Sequence, residues 1–204
     1  MQRATRLQRD AVQPAVNAAA PWGSPALDAF LKRAIRVTDG TVTNLIEEFI
    51  EPVVIEKRGE TACLAGDAVV DRAAWPDLAA GEPMIHRTVL VRGRNSRRVF
   101  LHAESWIATD RLDDILRREL VESDRPIGKL IRDHRRETYR ELLGDWQEPA
   151  GDLAGLLGCP AAQPLTVRLY RIHLDGRAAI QIVERFADTT VGARPGDGEP
   201  EDGE

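Results

Sequence analysis

Two cysteines in 204 residues, Cys63 and Cys159, are too few for a disulfide framework, and their spacing is not that of a metal site. Neither stands beside a motif that would activate a thiolate, so both default to packing. No run approaches 18 consecutive apolar residues, which argues against a membrane-spanning helix. A basic surplus is also missing: 28 Lys and Arg against 33 Asp and Glu give a net charge of −5. Proteins that grip nucleic acid by its phosphates usually carry the opposite balance, so nucleic acid is a poor partner. Residues Met1 to Arg6 carry positive charge but no apolar stretch of the signal-peptide kind follows. A Gly-rich phosphate loop, a serine nucleophile elbow and a His-Glu metal motif are all lacking. What is present is an ordinary globular balance, 43% hydrophobic and 30% charged, in a length suited to one domain. The expectation is a soluble, reduced, cytoplasmic protein.

Three stretches of different composition divide the chain. Residues 1–22 are rich in Ala, Gln and Arg and read as a flexible leader. Residues 191–204 are mostly Gly, Pro and acidic residues, which cannot bury enough apolar area to offset their ordering entropy, and read as a disordered acidic tail. Between them, 23–190 reads as one domain. Ser24 and Pro25 can open a helix with Leu27, Phe30, Leu31 and Ile35 as its apolar stripe, and a second short helix fits Val42 to Phe49. A strand through Val53, Val54 and Ile55 follows. Residues 84–92 and 98–107 read as strands joined by a turn from Gly93 to Arg97. Thr109 is expected to cap a helix carrying Leu112, Ile115, Leu116 and Leu120, and Pro126 to open another that runs past His134 to Thr138. Residues 165–174 and 178–186 form a hairpin across Asp175-Gly176. Hairpins with helices inserted between them indicate an α+β domain with an antiparallel sheet.

Strand periodicity exposes charge in unusual places, because alternate residues share a face. Arg87 shares its face with Ile85, Val89 and Val91, and Glu184 shares its face with Ile180, Ile182 and Phe186. A lone buried charge is costly unless something pairs it. Two readings stay open on the residues alone: a structural ion pair or exposed strand ends, or a ligand pocket in which one group binds a carboxylate and the other a hydroxyl. Glu104, on a row with Phe100, His102 and Trp106, and His134, on an apolar helical stripe, are weaker pocket candidates. The basic turn with Arg92, Arg94, Arg97 and Arg98 is most simply a solvated hairpin tip.

The order of several segments resembles the chorismate lyase (chorismate–pyruvate lyase) family, in its actinobacterial 4-hydroxybenzoate-forming branch. The segments are Gly40-Thr41-Val42-Thr43, Arg87-Thr88-Val89-Leu90-Val91 with Gly93-Arg94-Asn95-Ser96, and Ala103-Glu104-Ser105-Trp106 through Leu112. Pro126-Ile127-Gly128, His134 with Glu137-Thr138, and Ile182-Val183-Glu184-Arg185-Phe186 continue the series. The resemblance implies a single domain with a sheet of about six antiparallel strands, whose helices and flaps enclose the ligand. It implies a lyase that eliminates pyruvate from chorismate, a small-molecule substrate, without a cofactor. By the same resemblance Arg87 meets the ring carboxylate and Glu184 the ring hydroxyl, both as catalytic and substrate-binding residues. Val42, Ile127 and Gly128 would add substrate contacts, Val42 and Ile127 through their backbone. One departure stands out: the better-known bacterial branch has a second arginine on the partner strand, where this chain reads Ala103-Glu104-Ser105. The 92–98 turn, Arg168 or Arg171 could then serve the enolpyruvyl carboxylate.

Two rival functions follow from the same resemblance. The fold also serves as an effector-sensing module in transcription regulators, although about 24 residues ahead of the first expected helix are too few for a winged helix. A chorismate lyase-fold enzyme repurposed for another chorismate product or a cyclisation is the other rival.

Overall fold

Asp175 and Gly176 both adopt positive φ, 49° and 81°, the backbone of a turn whose twist matches the two strands it joins. These strands are the last pair in a six-stranded sheet seen in a computed structural model of the chain, which describes residues 32–38, 41–66, 75, 77–123, 125–135 and 137–187. The strands are β1 (Val53–Leu64), β2 (Pro83–Gly93), β3 (Val99–Ala108), β4 (Thr138–Pro149), β5 (Pro164–Leu174) and β6 (Arg177–Ala187). Their order across the sheet is β1-β2-β3-β6-β5-β4, and every neighbouring pair is antiparallel. Residues 32–37 are helical, followed by α1 (Val42–Phe49), α2 (Asp114–Glu122), α3 (Ile127–Asp133) and the short α4 (Ala154–Leu157). The fold is therefore the α+β single domain that the hairpins and inserted helices imply. The expected leader and acidic tail, and most of the helix opened by Ser24, lie outside the described residues.

Each sheet face has its own apolar layer. On one face Val91, Leu101, Ile107, Ile180 and Ile182 meet Ile46 of α1, Leu116 and Leu120 of α2, and Leu130 of α3. On the reverse face Met84, Trp106, Val167 and Val183 pack with Trp75, while Leu90 and Leu165 pack beneath Leu157 of α4. Leu90, Ile107, Leu116, Leu120, Leu130, Leu165 and Ile180 are completely enclosed. Burying each such side chain contributes about 1.5–3 kcal/mol, so these layers hold the helices against the sheet.

Two local expectations are corrected. Thr109 does not cap a helix; residues Thr109–Arg111 make a single 3-10 turn, and the Thr109 hydroxyl donates to the Pro83 carbonyl at 3.2 Å. Asp113 is the cap of α2, accepting from the backbone N–H of Ile115 at 3.0 Å and Leu116 at 2.8 Å. A carboxylate so placed satisfies two otherwise orphaned donors and suits the positive end of the helix. The helix after Pro126 is only seven residues long and stops before His134, and Thr138 begins β4 instead. That strand is the sheet edge and most of its side chains are exposed, so no alternation marks it in the sequence.

Candidate active site

Opposed residues of an antiparallel ladder lie on the same face, so register decides what meets across the sheet. Val89 stands opposite Ala103, Ala103 opposite Glu184, and Glu184 opposite Arg168. Arg87 is one step along, opposite Ser105, which in turn faces Ile182. Two residues distant in sequence are thereby brought to one surface. That surface forms the floor of a cavity lined by Arg87, Val89, Ala103, Ser105, Ile182 and Glu184. Thr41, Thr43, Arg125, Pro126, Ile127 and Gly128 close it from the helical side. Tyr170 from β5 and Arg140 from the edge strand complete one end.

Both charges on the apolar rows are buried, Arg87 at 3% exposure and Glu184 at 8%. Arg87 is held by two acceptors: its Nε donates to Glu60 Oε2 at 2.5 Å and its Nη2 to the Leu120 carbonyl. These contacts fix the plane of the guanidinium against the cavity wall. Glu184 is held more tightly. Arg168 donates to its Oε2 from Nε at 3.1 Å and Nη2 at 2.7 Å, while the Tyr170 hydroxyl donates to Oε1 at 3.0 Å. The remaining Nη1 of Arg168 donates to the carbonyls of Ile35 and Thr38, each at 2.9 Å. Burial, reinforced by the negative charge of Glu184, pushes the Tyr170 phenol far above its usual range, so it stays a donor. Arg87 and Glu184 do not form an ion pair with each other: Glu60 pairs with Arg87 and Arg168 with Glu184, while both residues still line the cavity.

Among the described residues the cavity lining carries the cations Lys57, Arg87, Arg125 and Arg140 and the carboxylate of Glu184. Glu60 pairs with Arg87, Glu119 and Asp133 pair with Arg125, and Arg168 pairs with Glu184. Guanidinium groups in such a lining suit a ligand with an anionic group. Among the described residues no group of three or more His, Cys, Asp or Glu side chains is placed to hold a metal ion.

The other residues singled out in the sequence have definite places. Ile127 and Gly128 line the cavity, whereas the Val42 side chain is in the core and its neighbours Thr41 and Thr43 line the cavity instead. Glu104 does not line the cavity. It lies on the reverse face, with Oε1 2.9 Å from Arg185 Nη1 and Oε2 3.6 Å from His86 Nε2, because its strand turns alternate residues away from Arg87. His134 does not line it either; the short α3 ends there, and its Nε2 lies 3.2 Å from Glu119 Oε2. Arg171 is also on the reverse face, donating to Gln181 at 3.1 Å, and Arg92 of the basic turn bonds Glu56 and the Arg97 carbonyl. Tyr170, Arg140, Arg125 and the pairing role of Arg168 escaped the reading of the sequence. Arg168 and Tyr170 alternate with Ile172 and Leu174 along β5, so the test that found Arg87 applies to them.

An antiparallel sheet backed by helices, with a charged cavity between the layers, defines an α+β domain of chorismate lyase-like fold. Solved structures share the architecture. The effector domain of PhnF from Mycobacterium smegmatis matches with a TM-score of 0.57 at 15% identity, over 74% of this chain and 91% of that one. The possible transcriptional regulator YydK from Bacillus subtilis matches with a TM-score of 0.54 at 10% identity, over 78% of this chain and 65% of that one. At these identities the likeness is one of fold. In sequence, the family model described as "Chorismate pyruvate-lyase Rv2949c-like" matches residues 37–191. The chorismate pyruvate-lyase of Mycobacterium leprae (strain TN) is 33% identical over 159 residues, 76% of this chain and 72% of that protein. That of Mycobacterium tuberculosis (strain CDC 1551 / Oshkosh) is 31% identical over 107 residues, so the chain spans about half the length of this relative (52%) in the match. The chain belongs to the Rv2949c-like chorismate pyruvate-lyase family.

Proposed function

We propose that this protein eliminates pyruvate from chorismate to give 4-hydroxybenzoate, and that it needs no cofactor to do so. The observation that carries the reading is the convergence of Arg87 and Glu184 on the floor of one cavity. Chorismate carries a ring carboxylate, a ring hydroxyl and, on the carbon beside the hydroxyl, an enolpyruvyl ether. In the reaction the ether C–O bond breaks, and the C–H pair on the hydroxyl-bearing carbon becomes a ring double bond. The hydrogen is recovered in the methyl group of pyruvate. Aromatisation drives the reaction, so the protein's task is to fix the reactive conformer and balance shifting charge.

Arg87 suits the ring carboxylate, since a guanidinium is always charged and offers parallel donors. Its contacts to Glu60 and the Leu120 carbonyl hold the group in place before the ligand arrives. Glu184 suits the ring hydroxyl, with Arg168 and Tyr170 holding its carboxylate in place. Ile127 and Gly128 at the start of α3, and the segment around Val42, close over the ligand from the other side.

A second reading, a non-catalytic sensor, is favoured by the structural likeness to the PhnF effector domain. One assay separates the two. Purified protein is incubated with chorismate and no added metal or nucleotide, and pyruvate and aromatic absorbance are followed together. Release of both in equal amounts is expected. Saturable chorismate binding without turnover would replace the lyase by a sensor, and inertness towards chorismate would point to a repurposed enzyme.

A further inference from the structure

Chorismate has two carboxylates, and Arg87 accounts for only one. We propose that Arg140, on the edge strand β4, together with Thr41 at the start of α1, is the anchor for the second carboxylate, that of the enolpyruvyl group. This inference rests on the lyase reading of the cavity and extends it.

Location selects Arg140. The enolpyruvyl ether and the ring hydroxyl are on adjacent carbons, so the anchor of the second carboxylate must lie beside the group that holds the hydroxyl. Glu184 accepts from the Tyr170 hydroxyl at 3.0 Å, and Arg140 stacks its guanidinium 5.6 Å from the centre of the same Tyr170 ring. Tyr170 thus couples the hydroxyl site to Arg140. The other cavity cations are placed differently. Lys57 is on β1, with its Nζ 3.9 Å from Glu60 Oε1, and Glu60 is the residue that orients Arg87, so Lys57 belongs to the ring-carboxylate end. Arg125 grips the carboxylates of Glu119 and Asp133, and Arg168 directs Nε, Nη1 and Nη2 at Glu184 and two carbonyls.

The chemistry at Arg140 fits an anion. Its Nη2 donates to Thr41 Oγ1 at 2.9 Å. A hydroxyl accepting from a guanidinium keeps its own proton for a further acceptor, so the pair presents a cation and a neutral donor side by side. Gly128 is shaped to this pair. A Cβ there would meet Thr41 Oγ1 at 2.8 Å and Arg140 Nη2 at 3.2 Å, so only glycine lets α3 close against it without shifting one or the other. The strand that supplies Arg140 is separated from β2 by three intervening strands, a distance that leaves room for a ring between the two anchors.

The test uses two inert ligands measured by calorimetry. 4-Hydroxybenzoate has the ring carboxylate and hydroxyl alone; 3-(carboxymethoxy)-4-hydroxybenzoate adds a carboxylate on the neighbouring ether and, being aromatic, cannot eliminate. Arg140→Met is expected to weaken the dicarboxylate by about 30-fold while leaving 4-hydroxybenzoate within about threefold, the range of one charge-assisted hydrogen bond. Arg87→Ala is expected to weaken both. Equal effects of Arg140→Met on the two ligands, or no effect on either, overturn the anchor alone. Wild-type protein that binds neither ligand, or Arg87→Ala that binds both normally, overturns the lyase reading and the anchor with it. Thr41→Val, which keeps the side-chain shape and every cavity charge but removes the hydroxyl that Arg140 bonds, is the second variant. The same selective loss supports the anchor if Arg140→Met does not fold, and an unselective result overturns it.

Discussion

Arg168→Met is the sharpest perturbation of the buried centre. Arg168 is 1% exposed, and its guanidinium bonds Glu184 twice and the carbonyls of Ile35 and Thr38 once each. Methionine retains much of the aliphatic volume but removes the charge and all four donated bonds. Breaking one side of a buried ion pair typically loses ~3–5 kcal/mol. Glu184 has one escape, which is to take up a proton. For a carboxyl with an ordinary pKa of about 4.3 this costs about 3.7 kcal/mol at pH 7, which caps its share. Each orphaned carbonyl adds ~1 kcal/mol, so the total is about 4–6 kcal/mol, comparable to the whole stability of a marginal domain. The escape leaves a signature. In the variant the folded state holds a proton that the unfolded state releases above about pH 4.3, so the deficit shrinks as pH falls. Between pH 7 and 5 it should shrink by about 2.7 kcal/mol, at 1.36 kcal/mol per pH unit. Urea unfolding at both pH values reads this directly, and the double variant Arg168→Met/Glu184→Gln should be less destabilised at pH 7 than Arg168→Met alone. A loss under about 1 kcal/mol at pH 7, or a deficit independent of pH, would show that the pair does not hold the site together.

Further outcomes follow from the same geometry. Arg87→Ala should weaken 4-hydroxybenzoate binding by ~2–5 kcal/mol, as for other desolvated charged contacts, and unchanged affinity in a titration would remove Arg87 from the ligand site. Glu184→Gln, nearly isosteric, should lower kcat for pyruvate release more than it raises KM; an unaltered kcat would end its proposed role. His102 is 4% exposed, and burial pushes its pKa below the usual histidine range although Glu104 pulls the other way. An unfolded histidine titrates near pH 6.5, so the contribution of neutral His102 is complete above about pH 6.5 and falls as the pH drops below it. His102→Gln should flatten the decline of thermal stability between about pH 6.5 and 5, and a decline as steep as that of the wild type would assign it to other groups.

Much of the fold was legible because periodicity and turn chemistry are local. Once a segment reads as a strand, pleat geometry assigns its alternate residues to opposite faces without knowledge of neighbours, and Asp175-Gly176 names its own turn. The same alternation put Arg87 and Glu184 on apolar rows, where burial made each conspicuous. The edge strand β4 escaped because solvent on most of its length erases the contrast that periodicity needs. Thr109 looked like a cap because capping residues are recognised by type, whereas Asp113, four residues on, is the one whose carboxylate reaches two helix donors.

The sequence by itself determined most of the elements other than β4, their faces and the presence of two charges on apolar rows, since each depends on residues within one turn or one pleat. Which charge meets which was decided only by the tertiary structure. Register across β3, β6 and β5 sets Glu184 opposite Arg168 rather than Arg87, and the crossover to the far edge brings Arg140 to the cavity. Pairing between distant strands depends on how whole faces pack against the helices, a sum over many side chains that no single segment carries.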